Sequence, residues 1–128
     1  MDTFDKIISS IYREKRPVIT GCVWQSGWAG AKGGIIDSEG NPQFGHAFCA
    51  IGRKTINGKL YLIVQGSNGK NIGDKGLFYF SRPIVNKFFK FGAFMFRDFD
   101  PNEAKQICWS LRRRIYEIIK SWFKEILK

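Results

Sequence analysis

The sequence predicts an α+β fold: an antiparallel, partly closed, barrel-like sheet with a short helix before it and a long amphipathic helix after it. Apolar residues recur at helical spacing near both ends of the chain. Between them lie short segments rich in β-branched and aromatic residues, the signature of strands. Turn signals separate these segments, the strongest being Asn57-Gly58.

Residues 3–14 (TFDKIISSIYRE) read as the first helix. Phe4, Ile7, Ile8, Ile11 and Tyr12 fall on one face, Asp2 or Thr3 can cap the start, and Pro17 blocks continuation. PVITGCVW (17–24) reads as a strand. Residues 25–45 read as a long loop, since seven of the 14 glycines lie between Gly21 and Gly45. HAFCAIGRK (46–54) is the next strand, and Asn57-Gly58 turns it into LYLIVQG (60–66). A second glycine-rich loop (66–76) leads to the short strand LFYF (77–80). Ser81 can cap one or two helical turns over 81–89, and FGAFMFRDF (91–99) reads as the last strand. Asp100-Pro101 with Glu103 then opens a helix expected to reach about Leu127. Its apolar face runs from Ala104, Ile107, Cys108 and Leu111 through Ile115, Ile118 and Ile119 to Trp122 and Ile126, with Arg113, Arg114, Glu117, Lys120 and Lys124 largely opposite. Residues 1–100 are thus expected as one domain and 101–128 as a basic amphipathic helix.

With 128 residues, 44% of them hydrophobic, the chain has the composition of a folded domain rather than a disordered one. No apolar run approaches the ~20 residues that span a bilayer, and the charged N-terminal segment is not a signal peptide. A surplus of +10 favours attraction to phosphate or to acidic proteins, yet no zinc-finger or basic-zipper pattern accompanies it. The three cysteines, Cys22, Cys49 and Cys108, are an odd set, which fits reduced thiols in a reducing compartment. With one histidine, His46, and no C-x-x-C, no metal site and no cofactor are expected.

The run GHAFCAIG…NGKLYLIVQGSNGKNIGDKGLFYF resembles the second, histidine-bearing half of papain-like cysteine peptidases. Gly45-His46-Ala47 matches the family's histidine motif. Leu62 to Gly69 (LIVQGSNG) stands where its Asn-Ser-Trp-Gly motif belongs, and Gly73-Asp74-Lys75-Gly76-Leu77-Phe78 matches its second glycine motif. The helix at 3–14 and PVITGCVW match the opening of that half, so the likeness covers residues 3–99. It is closest in look to prokaryotic or phage-encoded variants, which implies a cytoplasmic or virion-associated protein.

The departures shape the functional expectation. The family's nucleophilic cysteine and oxyanion-hole glutamine belong to a preceding half that these residues do not contain. The asparagine that orients the histidine is replaced by Gly66, and the shielding tryptophan by Asn68. Acyl transfer by a thiol needs a thiolate beside an imidazole held by a third group. Cys49, three residues from His46 on a strand, points to the opposite face, Cys108 reads as core, and Cys22 on the neighbouring strand alone can approach the ring.

The resemblance therefore implies a peptidase-related protein without its nucleophile half, a non-catalytic pseudoenzyme that acts by binding a protein partner or the missing half-domain. If it is active, His46 is the general base, with Cys22 and Asn68 as the other candidates. Trp24, Trp28, Gly45, Ala47, Gly66 and Ser67 are the expected partner- or substrate-binding residues. Two alternatives stand beside this reading: a fragment or subunit of an active cysteine peptidase, and a charge-driven binder of nucleic acid or anionic surfaces. The C-terminal helix is expected to cover apolar surface left by the absent half, with a protein partner or an anionic membrane as its other possible contacts; a membrane is the least expected.

Overall fold

The computed structural model describes residues 1–95, 113–121 and 124. The chain divides into two compact units, Met1–Phe96 and Arg97–Lys128.

Helix α1 (Thr3–Glu14) forms where the sequence places it. The Asp2 carboxylate accepts from the Asp5 amide at 2.8 Å, and Lys15 ends the helix in the left-handed conformation. Phe4, Ile7, Ile8 and Ile11 are buried. Tyr12 is not: it lies half exposed, its hydroxyl accepting from the Arg53 amide and its ring under the Arg53 guanidinium. Arg82 Nη1 donates to both Asp2 and Asp5 at 2.8 Å and so ties α1 to a second helix, α2 (Arg82–Phe88).

The strands are β1 (Val18–Gln25), β2 (Ile35–Ile36), β3 (Pro42–Ile56), β4 (Lys59–Gln65), β5 (Leu77–Ser81) and β6 (Ala93–Phe94). They form one sheet in the order β2-β5-β4-β3-β1-β6. Two features of the expected architecture are corrected. The sheet is mixed, because β2 runs parallel to β5, pairing Ile35 with Tyr79 and Ile36 with Phe80. It is also open: β2 and β6 are its two edges, each only two residues long, and they do not close a barrel. The physical reason lies in the stretch expected as loop 25–45. The adjacent β-branched pair Ile35-Ile36 is drawn onto the β5 edge, where Ile36 is buried.

β3 also begins earlier than expected, at Pro42. It pairs with β1 through Ala50 and with β4 from Cys49 onward, with an irregularity between Ala50 and Gly52 where it passes from one partner to the other. Asn57 and Gly58 both have positive φ, the geometry of the tight hairpin that the dipeptide predicts. The two glycine-rich loops meet at one carbonyl. A Cβ on Gly34 or on Gly73 would lie 2.6 or 2.5 Å from the Leu77 oxygen, so both glycines serve close backbone approach.

The core is an aromatic stack. Trp24 meets Trp28, Phe48, Phe78 and Phe80 edge-on at centroid distances of 5.4 to 6.5 Å. Phe89 closes it against Phe48 and Phe80. Edge-to-face pairs suit the ring quadrupoles and add about 0.5–1.5 kcal/mol each beyond area burial.

The last strand is described only as Ala93–Phe94, and 96–100 lie outside the described residues. The expected long C-terminal helix is likewise corrected: the helix seen, α3, covers nine residues, 113–121. Cys108 and Trp122, expected on its apolar face, lie outside the described residues.

Candidate functional site

His46 sits on β3, and its backbone register with β1 defines the site. Cα partners run Gly21 with Ala47, Cys22 with His46 and Val23 with Gly45. Side chains of directly opposed residues leave the same face, and successive residues alternate. The β1–β3 pair therefore has a His46 face, with Cys22, Trp24, Phe44 and Phe48, and an Ala47 face, with Ile19, Gly21, Gly45 and Cys49.

On the first face the half-buried imidazole is set among rings. Trp24 lies 5.3 Å away, Phe48 5.7 Å and Phe44 6.1 Å, centroid to centroid. Among the described residues no hydrogen bond reaches the ring. Cys22, the one thiol on this face, has no exposure, and burial pushes it up to about 12. At neutral pH it is a thiol and not a thiolate. Asn68, the candidate orienting amide, is exposed in the loop after β4, as is Ser67. Gly66 is tied by its amide to the Gly76 carbonyl at 3.0 Å. The structure thus brings His46 and Cys22 together and gives the imidazole no amide partner among the described residues.

Trp24 and Trp28, expected to contact a partner, are both core residues. The Trp28 indole donates to the Ser38 carbonyl at 2.8 Å, which satisfies its one polar atom.

The Ala47 face is different. An apolar cavity of about 320 Å³ opens there between Ile19, Gly21, Gly45, Ala47, Phe91 and Phe94, and His46 also contributes to its wall. A neighbouring cavity of about 380 Å³ shares Ile19 and Ala47 and continues to Cys49, Gln65, Gly66 and Ser67. Together they form a groove across β3. Four expected contact residues, Gly45, Ala47, Gly66 and Ser67, line it. Sequence reading missed Ile19, Gly21, Phe91 and Phe94. Phe91 and Phe94 are 55% and 64% exposed, and Thr20 Oγ1 donates to the Gly92 carbonyl between them at 2.9 Å. Two phenylalanines around a glycine at a strand edge were the available signal, but the same pattern also suits core packing.

No family model matches this chain, and no curated protein matches it.

Proposed function

We propose that this chain binds an extended segment of a protein partner in the groove on the Ala47 face and carries out no acyl transfer of its own. One observation carries the reading. The thiol that stands opposite His46 is sealed in the core as a neutral group, while the accessible side of the same two strands is an apolar groove. An extended peptide suits such a site, since alternate side chains can enter the two adjoining cavities while its backbone follows the strand direction. Residues 1–96 hold 13 basic side chains against six acidic ones, so a partner segment with acidic residues beside its apolar ones is favoured.

The test is selection of binders from a displayed library of random decapeptides against the full chain. The expected result is enriched peptides with spaced apolar residues that bind wild type, bind Ala47→Arg weakly, and stay uncleaved by wild type and His46→Ala alike. Cleavage abolished by His46→Ala would establish the peptidase reading instead. Enriched peptides indifferent to Ala47→Arg would place binding elsewhere.

A further inference from the structure

All nine residues of α3 are exposed, including Ile115, Ile118 and Ile119 at 56%, 50% and 43%. These three isoleucines fall on one stripe at the spacing i, i+3, i+4. Arg113, Glu117, Lys120 and Lys124 lie on the other side of the helix, Arg114 flanks the stripe, and Lys120 reaches back over the Tyr116 ring. In sequence, Trp122-Phe123 follow directly, and residues 101–128 carry seven basic side chains against three acidic ones.

We propose that α3 lies flat on an anionic bilayer surface, with the isoleucine stripe among the upper acyl chains and its cations among the headgroups. Charge complementarity selects this occupant. A second copy packed stripe to stripe would set the Arg114 side chains of the two chains beside each other, with no acid flanking the stripe among the described helix residues. A lipid surface takes the apolar stripe and the cations at once, because long Arg and Lys stems let the charges snorkel to the headgroups. Tyr and Trp suit the same depth. Among the described residues no helix is long and apolar enough to cross a membrane, so the contact is with a surface. This inference is independent of the groove.

The test is co-sedimentation of the full chain with phosphatidylcholine vesicles, with and without about one-third phosphatidylserine, at low and high salt. Binding is expected only with phosphatidylserine and is expected to weaken with salt. Replacing Arg113 and Arg114 by Gln should weaken it about thirtyfold. Ile118→Glu with Ile119→Glu should weaken it at least about tenfold, with an unchanged circular dichroism spectrum as the control for folding. Three results would overturn the proposal: no sedimentation with anionic vesicles at low salt; vesicle binding unchanged by the isoleucine variants and displaced by duplex DNA, which marks plain polyanion attraction; or a dimer in solution that the isoleucine variants dissolve, without vesicle binding.

Discussion

Cys22 and His46 are cross-strand partners whose Cα atoms oppose each other in the β1–β3 ladder, with both side chains on one face. Nearness alone does not make this pair reactive. The thiol has no exposure, and the cost of burying a thiolate holds it neutral far above physiological pH.

That burial sets an alkaline signature. The Cys22 thiol is pushed up to about 12 in the folded chain, against an ordinary value near 9. The unfolded chain loses this proton first, so the contribution is full below pH 9 and is lost as pH climbs toward 12. Within that window this one group should erode stability by up to about 1.4 kcal/mol per pH unit. Urea unfolding of wild type and Cys22→Ala across that range checks it. The variant starts less stable and declines less steeply. Parallel declines would mean that the thiol is not held neutral by the fold.

The acid side is governed by Asp2. Its carboxylate caps α1 and bonds to Arg82 and Asn86, and these partners, the Asp5 amide first, hold it well below the usual carboxylate range. Stability from this group is present above the ordinary carboxylate pKa and is lost as pH falls below it. Asp2→Ala should lower the melting temperature near neutrality, and the gap to wild type should narrow on acidification. A gap that holds constant down to strongly acidic pH would show that the charged carboxylate contributes nothing.

Much of the fold was legible because it rests on local signals. The buried stripe of α1, its Asp2 cap and the Asn57-Gly58 hairpin each depend on residues a few positions apart. Alternation along β3 also placed Cys49 on the face away from His46. What was not legible depends on distant partners. The Ile35-Ile36 strand exists only because β5 offers an edge, and that edge lies some forty residues further on. Trp24 and Trp28 are expected as partner- or substrate-binding residues, but the ring stack that buries them is assembled from β3, β5 and α2. The groove failed for the same reason: Ile19 and Phe94 meet only through β1–β6 pairing.

The aromatic stack makes Trp24 a costly side chain to remove. Trp24→Ala should destabilise the chain by about 3–5 kcal/mol, measured by denaturant unfolding. A loss below about 1 kcal/mol would place the ring outside a packed core.

Gly21 is fixed by crowding. A Cβ there would lie 2.7 Å from the His46 carbonyl oxygen, so Gly21→Ala must push β1 and β3 apart. The expected cost is about 1–3 kcal/mol, together with weaker peptide binding in the groove. A variant as stable as wild type would contradict the strand register.

His46 itself makes no hydrogen bond among the described residues and is surrounded by rings, so His46→Phe should leave stability within about 1 kcal/mol of wild type. A larger loss, read from the unfolding midpoint, would reveal a polar role for the imidazole.

The most direct measurement is labelling of the folded full chain by a thiol-directed epoxide at neutral pH, mapped by mass spectrometry in wild type and His46→Ala. The account predicts modification at the partly exposed Cys49, none at Cys22, and no dependence on the imidazole. An adduct on Cys22 that disappears in His46→Ala would contradict it, because it would demonstrate a working thiolate–imidazole pair.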